Sequence, residues 1–489
     1  METTFLVMFT FMFLQTFGSS NRHMMMTSSN VTCFERERES LLIFKRSLTD
    51  RLNRLSTWTG VECCEWQGVE CDVLNGHVVK LDLRNPASFT YKTFYNGNSL
   101  GGELSDSLLN LTHLLYLDLS LNNFSGRIPE FLGSFKRLDY LNLSHSGFSG
   151  VVPPHLRNLS SLQYLDLAND NLMIKDDLRW VSSLSSLKHL DLSGISIGNH
   201  TDWFHPVNML PYLLTLNLAS CHISIPSIKF INLTSLISLD LSLNYINSTI
   251  PVWLSNLTSL MHLNLHGNSF HDQIPDFLGT LSSLTSINLS KNLFDTSIPE
   301  LFWNLSSLVR LDLSQNMFHG SIPQNVNLCI LTVLNLWQNK FSGELSSFIG
   351  NLSDCMLTSL KYLNLEWNDF NGSMPNKFGE FKKLEQLLLS ANELSGPVPP
   401  SLGGLSSLRH LKVNSNQLSG SIPASLGSLS RLETLDLNSN QLSGSIPASL
   451  GNLLRLEKLD LLQTSKAWMS LTTLWSGFFL KLTSQNLRI

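Results

Sequence analysis

The strongest constraint on the fold is one phrase that recurs along most of the chain, about every twenty-four residues. It is clearest as LDLSQNMFHGSIP at residues 311–323, and it returns as LDLNSNQLSGSIP at residues 435–447. A fixed period of this length is the signature of a solenoid, in which short coils stack on one another. Because a single coil cannot bury its own leucines, we expect about sixteen coils to fold together.

Each unit carries the pattern L-x-x-L-x-L, which predicts a short β-strand because side chains alternate between the two faces of a strand. Leu308, Leu311 and Leu313 take these positions in one coil. Stacked coils then form a long parallel sheet on a concave face, so the predicted fold class is an α/β solenoid. Glycine and proline in the G-x-I-P ending turn each coil. Such an open surface favours recognition over catalysis.

An asparagine stands three residues after the last strand leucine in most coils. These residues are Asn122, Asn244, Asn268, Asn292, Asn316, Asn339, Asn368, Asn392, Asn416 and Asn440. A buried amide both donates and accepts hydrogen bonds, so we expect an internal ladder that links the coils. The ladder is interrupted at Pro86, Ser146, Asp170, Ile195, Cys221 and Thr464. Most interruptions precede residue 230, so the first half should be less regular.

The ends of the chain lie outside the repeat. Residues 1–20 contain an apolar run followed by small residues, which is typical of a secretory signal peptide; a short apolar N-terminus without consequence has the same pattern. The pattern further divides the chain into a cap at 30–76, repeats at 77–463 and a non-repeat tail at 464–489. The apolar stretch 467–480 is shorter than the ~20 residues that a spanning helix needs, so we expect no membrane span in this chain.

The seven cysteines fit an oxidising compartment. We predict the disulfides Cys33–Cys63 and Cys64–Cys71 in the cap, beside a helix at residues 37–48. A zinc site would call for paired Cys-x-x-Cys or added histidines at ligand spacing. Two further cysteines precede consecutive strands and form either a third bridge or two buried thiols: Cys329 and Cys355. Cys221 is left over, as a small buried residue.

The CCEWQGVEC segment at residues 63–71 and the recurring LxxLxLxxNxxxGxIP unit resemble the extracellular region of plant leucine-rich-repeat receptor-like proteins and receptor kinases. The resemblance covers about residues 33–461. It implies a plant-type leucine-rich-repeat solenoid with an N-terminal disulfide cap. Residues 327–355 look most like the receptor-like proteins that perceive microbial elicitors. Because such relatives continue into more repeats and a spanning helix, the chain resembles a C-terminally truncated member of that group.

The resemblance also implies a function: recognition of an extracellular peptide, protein or glycan in defence, with signalling through co-receptor kinases. Full-length relatives lie at the plasma membrane, and this chain would reach the apoplast. A secreted inhibitor of a pathogen cell-wall enzyme, of the polygalacturonase-inhibiting type, is the alternative, and so is a truncated decoy.

The strand residues beside the leucines are candidates for contact with a ligand. Asp118, Asp166, Asp240, Asp312 and Asp436 follow the LDL pattern and are interpreted as scaffold. Aromatic and arginine side chains on an open surface are typical of binding hot spots. The candidates are Trp337, Trp367, Arg310, Tyr362, His262, His266, Glu366 and His410, which we place at exposed strand positions; ordinary surface variation is the alternative. Tyr116, Tyr140 and Tyr164 should stack in phase.

Thirteen N-x-S/T sequons predict N-linked glycans on a secreted chain. They start at Asn30, Asn110, Asn123, Asn142, Asn158, Asn199, Asn232, Asn247, Asn256, Asn288, Asn304, Asn351 and Asn371. Asn142 and Asn288 fall inside predicted strands, where a glycan would shade the concave face. No sequon follows Asn371, so the last coils are either a glycan-free contact surface or free of sequons by chance.

The sequence offers little for chemistry. GISIG at residues 194–198 matches a nucleophile elbow by letter, but it follows a repeat strand and lacks the strand-to-helix context. The fourteen histidines show no metal-binding spacing, and the charged residues form no basic cluster of the kind that binds nucleic acid. We therefore expect no catalytic residue, no metal, no cofactor and no nucleic-acid partner.

Overall fold

The computed structural model describes residues 32–86, 98–175, 177–198, 202–225, 228, 231–321, 323 and 326–461. The predicted signal peptide, the tail and the sequons at Asn30 and Asn199 lie outside these residues. The chain divides into two compact units, residues 1–213 and 214–489. Each unit contains stacked coils with one short parallel strand per coil, so the predicted solenoid is confirmed.

The first unit builds its main sheet from five parallel strands, which are Val78–Asp82, Tyr116–Asp118, Tyr140–Asn142, Tyr164–Asp166 and His189–Asp191. Their central leucines are in register, so that Leu117 lies between Leu81 and Leu141. All three are fully buried. The strand Val69–Cys71 closes one edge by pairing antiparallel with Val78–Asp82.

The second unit continues the same design over eleven strands in its described residues. They are Thr215–Asn217, Ser238–Asp240, His262–Asn264, Ser286–Asn288, Arg310–Asp312, Val333–Asn335, Tyr362–Asn364, Gln386–Leu388, His410–Lys412, Thr434–Asp436 and Lys458–Asp460. Each strand pairs in parallel with the next, one residue opposite one residue. Strict register gives columns of equivalent positions along the sheet.

The glycine of the G-x-I-P ending bends the coil away from the main sheet. Gly320 has φ +83° and Gly444 has φ +81°, a conformation that favours glycine. Short second strands form after the main strands, at Gly101–Gly102, Asn123–Phe124, Gly150–Val151, Leu172–Met173, His319–Gly320, Lys340–Glu344, Asp369–Ser373, Glu393–Pro397, Gln417–Gly420 and Gln441–Leu442. The strand Leu48–Thr49, which follows the cap helix, pairs antiparallel with Gly101–Gly102.

Helical turns complete the coils. The 3₁₀ helices are Cys63–Glu65, Asp106–Asn110, Glu130–Ser134, Pro154–Asn158, Arg179–Ser183, Val252–Asn256, Asp276–Thr280, Glu300–Asn304, Asn376–Glu380, Pro400–Gly404, Ala424–Ser428 and Ala448–Asn452. The α-helices are Glu35–Ser47, Phe204–Asn208, Leu345–Asn351 and Asp354–Ser359.

The predicted asparagine ladder is confirmed, and Asn292 shows how it works. Its Nδ2 donates to the carbonyls of Leu289 and Ser290 in its own coil and to Leu265 in the preceding coil, at 3.0, 3.1 and 3.0 Å. Its Oδ1 accepts from the backbone N–H of Phe270 at 3.0 Å. Where Ser146 interrupts the ladder, its side chain makes only some of the hydrogen bonds that an asparagine makes. The Ser146 hydroxyl donates to the carbonyl of Leu119 in the preceding coil at 2.8 Å.

The cap packs against the first coils within the first unit. Its helix Glu35–Ser47 begins two residues earlier than predicted and ends where Leu48 enters a strand. Leu41 and Phe44 are fully buried, whereas Leu42 stays half-buried. The predicted cap disulfides, Cys33–Cys63 and Cys64–Cys71, are both present. In the second unit Cys329 is bonded to Cys355, and Cys221 in the same unit is buried and belongs to no disulfide.

Candidate recognition surface

Four of the candidate residues occupy one column on the solvent face of the second unit's main sheet. His262, Arg310, Tyr362 and His410 each stand one residue before the buried strand leucine. Val333 lies between Arg310 and Tyr362 in register. All four are half-buried rather than exposed, because neighbouring strands lie only about 4.8 Å apart and crowd one another.

Burial changes the electrostatics of this column. It lowers the pKa of Arg310, against the opposing effect of Asp312, and it raises the pKa of Tyr362 to about 12. The Tyr362 hydroxyl accepts a hydrogen bond from the side chain of Asn364 at 3.1 Å. Burial also lowers the pKa of His262 and of His410. The surface is therefore partly desolvated, which strengthens polar contacts made to it.

Trp337 and Glu366 occupy equivalent positions on neighbouring coils, just past the end of each main strand. Each follows the second buried leucine, and the backbone N–H of Gln338 donates to the carbonyl of Glu366 at 2.9 Å. Burial raises the pKa of Glu366, while Ser390 and Lys412 act against that rise. Together with Arg310 and Tyr362, these residues come from three consecutive coils. We call these four residues the central patch.

His266 shares the position of Trp337 but lies elsewhere on the sheet. Its Nδ1 is 2.7 Å from the hydroxyl of Ser290, the equivalent residue on the next coil. Three strands separate the strand of His262 from that of Tyr362, and they are Ser286–Asn288, Arg310–Asp312 and Val333–Asn335. His410 is likewise separated from Tyr362 by Gln386. Arg310, Trp337, Tyr362 and Glu366 thus lie on three consecutive coils, and the three histidines lie on other coils.

The prediction of a strand position is wrong for Trp337, Glu366 and His266, which lie two residues past the ends of their strands, and for Trp367. Trp367 lies in the turn after the strand, with φ +56°, and its side chain is 62% exposed. The reason is a shift of one residue: Trp337 stands one residue past the strand leucine, whereas Trp367 stands two past it. Its equivalents are Gln338 and Ala391, which share the positive φ. The two tryptophans therefore belong to different columns.

The aspartates of the LDL pattern serve the scaffold, as interpreted from the sequence. Asp312 Oδ1 accepts from the backbone N–H and the hydroxyl of Ser314 at 3.0 and 2.6 Å. Asp240 holds Ser242 in the same way, at 2.8 and 2.6 Å. One carboxylate oxygen thus fixes the turn after the strand, while the second oxygen remains on the solvent face.

The first unit carries a column of stacked rings. Tyr116 and Tyr140 stack with centroids 4.0 Å apart, and Tyr140 and Tyr164 follow at 4.3 Å, so the predicted stacking is confirmed. His189 extends the stack, 4.1 Å from Tyr164, and sequence reasoning missed it. The available sequence signal was its position directly before the leucine of an LDL segment, a position that Tyr116 and Tyr164 also occupy. Lys80 lies over Tyr116, 5.1 Å from the ring centroid.

One cluster in the cap has metal-type side chains. Glu37 is buried and accepts from His77 Nδ1 at 2.9 Å and from the backbone N–H of Val78 at 2.7 Å. The ring of His113 stacks on that of His77, with centroids 3.8 Å apart and planes at 15°. Near-parallel stacked rings cannot both point a nitrogen in plane at one ion. The arrangement is better explained as a clamp between the cap helix and the first coils.

The sequons differ widely in accessibility. Most described sequon asparagines are exposed: Asn123, Asn158, Asn232, Asn247, Asn256, Asn304 and Asn371. Asn110, Asn288 and Asn351 are half-buried. Asn142 is buried in its strand, and its Oδ1 accepts from the N–H and hydroxyl of Ser144 at 2.9 and 2.7 Å.

Comparison with known proteins agrees with this architecture. A model of a leucine-rich repeat region matches residues 307–487, a leucine-rich-repeat N-terminal domain matches 35–72, and single leucine-rich repeats match 113–135, 137–159, 235–257 and 259–281. The solved structure of a TDR receptor is 30% identical to this chain with a TM-score of 0.67. That match covers 80% of this chain and 65% of the receptor chain. The ectodomain of the Arabidopsis receptor kinase HAESA, solved in complex with an IDA peptide hormone, is 28% identical to this chain with a TM-score of 0.53. That match covers 87% of this chain and 85% of the HAESA chain.

Among curated relatives, the receptor-like protein EIX1 of Solanum lycopersicum is 40% identical over 216 residues. That match covers 42% of this chain and 21% of the tomato protein, so the chain matches about a fifth of this relative's length. Leucine-rich-repeat models thus match along the chain, and its curated relatives include plant receptor-like proteins. Within the residues that the structure describes, no helix is long and apolar enough to cross a membrane.

Proposed function

We propose that this chain is the extracellular ligand-recognition region of a plant receptor-like protein that acts in defence. The observation that carries the proposal is the central patch, which joins a tryptophan, an arginine, a tyrosine and a glutamate on one half-buried stretch of sheet. Aromatic and arginine side chains in desolvated surroundings dominate the energetics of protein interfaces.

The scaffold beneath the patch supports this role. Leu311, Leu334 and Leu363 hold its three strands and are fully buried. The asparagine ladder fixes the turns behind them, through Asn339 and Asn368 among others. Side chains on the solvent face therefore sit on a rigid backbone, and rigidity lowers the entropy that a binding partner must overcome.

Relatives support a peptide or protein as the ligand class. HAESA, whose ectodomain resembles this fold, is solved with a peptide hormone bound. By analogy, the ligand of this chain would lie along the solvent face of the main sheet. We further propose that the chain enters the secretory pathway, reaches the apoplast, and works with co-receptor kinases. The predicted division into signal peptide, cap, repeats and tail belongs to the same proposal.

A binding experiment with two tryptophan variants tests the proposal. The purified 489-residue chain would be immobilised and exposed to size-fractionated fungal culture filtrate, and retained elicitor activity would be measured as an oxidative burst in leaf discs. Trp337→Ala should lower retention about thirtyfold, the loss typical of a hot-spot residue. Trp367→Ala is the matched control, because it removes the same side chain outside the patch.

Two outcomes would contradict the proposal. Equal retention by the wild type and Trp337→Ala would remove the central patch from recognition. Inhibition of a fungal polygalacturonase by the purified chain, without retention of elicitor activity, would favour the inhibitor alternative. Co-purification of a receptor kinase with the chain after elicitor treatment of leaves would test the proposed signalling partners separately.

A further inference from the structure

One coil of the first unit has a longer connection than the coil before it. Two residues join the second strand Gly150–Val151 to the helical turn Pro154–Asn158. Five residues join the paired strand Leu172–Met173 to the turn Arg179–Ser183, and they lack the glycine and proline of the G-x-I-P ending. A cleft of about 510 Å³ lies between these two coils.

Arg157 fills a position at which regular coils are in close contact. It is the fourth residue of its helical turn, where five other turns have glycine. At those glycines a Cβ atom would lie only 2.3–2.6 Å from the backbone of the following coil. They are Gly133, Gly279, Gly379, Gly403 and Gly427. The arginine is accommodated because the following coil leaves room for it, and that room belongs to the cleft.

The rim of the cleft is basic. Three exposed cationic side chains line it, and they are Arg157, Lys175 and Arg179. Among the described lining residues Asp177 is the one carboxylate, and it pairs with Arg179. This excess of positive charge is local, because the whole chain has a formal net charge of -5. The cleft therefore attracts carboxylates on a chain that otherwise repels acidic ligands.

The floor of the cleft is apolar. Val152, Ile174 and Trp180 line it, and all three are buried. The aliphatic side chains offer no hydrogen-bond partners, and burial of Trp180 leaves little of its ring for a sugar to stack on. An acidic oligosaccharide would therefore leave hydroxyl groups without partners there, at a cost in free energy. A peptide with carboxylates on both sides of an apolar residue suits both the rim and the floor.

We propose that the cleft binds a short acidic segment of a peptide or protein, with carboxylates on Arg157 and Lys175 and an apolar side chain against the floor. Its volume of about 510 Å³ is that of a small-ligand site, so it accommodates a few residues. Arg157 can bind one carboxylate through two parallel hydrogen bonds. The inference goes beyond the proposed function, because it adds a second ligand site on a different unit from the central patch.

The probe for this cleft is a fluorescein-labelled peptide, Gly-Glu-Glu-Leu-Glu-Glu-Gly, with a copy in which glutamine replaces each glutamate. Fluorescence anisotropy would be measured with the full chain at about 50 mM salt, where screening is weak. A parallel sample would have its N-glycans removed, because the sequon at Asn158 stands next to Arg157. The Arg157→Gln/Lys175→Gln variant should bind the acidic peptide at least about fivefold more weakly, since two exposed ion pairs are lost.

The matched control is Lys136→Gln/Arg137→Gln, which removes one lysine and one arginine from exposed positions of the same unit outside the cleft. It should leave affinity within about twofold, as surface changes away from a site do. Equal weakening by both double variants would show attraction to net charge alone and overturn the proposal. So would equal binding of the acidic and glutamine peptides, or failure of both the glycosylated and the deglycosylated chain to bind.

A conservative variant guards against misfolding. Arg157→Lys keeps the charge but loses the paired hydrogen bonds, so it should weaken peptide binding about threefold. Unchanged affinity in both Arg157→Lys and the folded double variant would refute the site. Displacement of the labelled peptide by oligogalacturonate at a lower concentration than by unlabelled peptide would assign the cleft to acidic saccharides and overturn the peptide proposal. The assay contains no elicitor, so its failure leaves the central patch untouched.

Discussion

Asn292 and Leu265 are joined across two coils by a hydrogen bond of 3.0 Å, from the buried amide of one to the carbonyl of the other. The same residue serves three other backbone groups, so a single side chain satisfies two coils. Repetition of this bond makes neighbouring coils depend on one another.

Replacing Asn292 with alanine should destabilise the second unit by about 2–3 kcal/mol, because buried carbonyls and an N–H lose their partners. Guanidinium denaturation followed by circular dichroism measures the loss. Lys291→Ala is the control, since Lys291 is exposed in the same turn. Its effect should stay within about 0.5 kcal/mol. A small loss for Asn292→Ala would mean that water replaces the amide.

The Cys329–Cys355 disulfide should stabilise the second unit through the unfolded chain. It closes a loop with a sequence separation of 26, which corresponds to about 3 kcal/mol of lost chain entropy. A Cys329→Ser/Cys355→Ser variant should therefore unfold at lower denaturant than the wild type. Cys221→Ala, which removes a thiol outside any disulfide, is the comparison. Equal denaturation midpoints for the wild type and the double-serine variant would contradict the prediction.

Acid should weaken the first unit partly through His189. Its pKa falls to about 4 by burial, against an unfolded value of 6.5. The unfolded state therefore binds the proton first, so the contribution to stability is complete above pH 6.5 and is lost as the pH falls toward 4. His189→Phe keeps a ring in the stack and should flatten this decline. The measurement is the urea midpoint at pH 7 and pH 4.5.

His155→Phe provides the control for the acid prediction, because His155 is exposed on the same unit. It should reproduce the wild-type decline between the two pH values. If His189→Phe declines as steeply as the wild type, then His189 does not contribute, and other groups such as the half-buried His145 account for the effect.

Glycan occupancy should follow exposure. Glycopeptide mapping of the secreted chain should find glycans at exposed sequons such as Asn158, Asn256 and Asn304, because their side chains reach solvent. Asn142 should be unmodified, since it is buried and its amide oxygen holds Ser144. A glycan at Asn142 would require attachment before the strand forms and would contradict its role in the turn.

Much of the fold was predictable because the repeat specifies it locally. The spacing of leucines fixed which side chains are buried, and the position of Asn292 predicted its hydrogen bonds. The cap helix was predicted to within two residues at its start. These features depend on neighbours within one coil or on the next coil in register, which a periodic sequence encodes directly.

The candidate surface was predicted less well, for reasons of register and burial. Trp367 stands one position further along its coil than Trp337 does, which places it in the turn with a positive φ, and the letters alone do not show where that turn begins. His189 joins a stack only through contact with Tyr164, which its own coil does not specify. The half-burial of Arg310 depends on how closely adjacent strands crowd it.

Each three-residue strand of the main sheet has a buried central position and a more exposed position before it, and the two have different roles. The central leucine holds the coil in place, whereas the residue before it, such as Arg310, lies on the solvent face. Substitution at that outer position leaves the buried leucine column unaltered. Residues on the solvent face can therefore change one coil at a time during evolution, while the leucine core and the architecture stay the same.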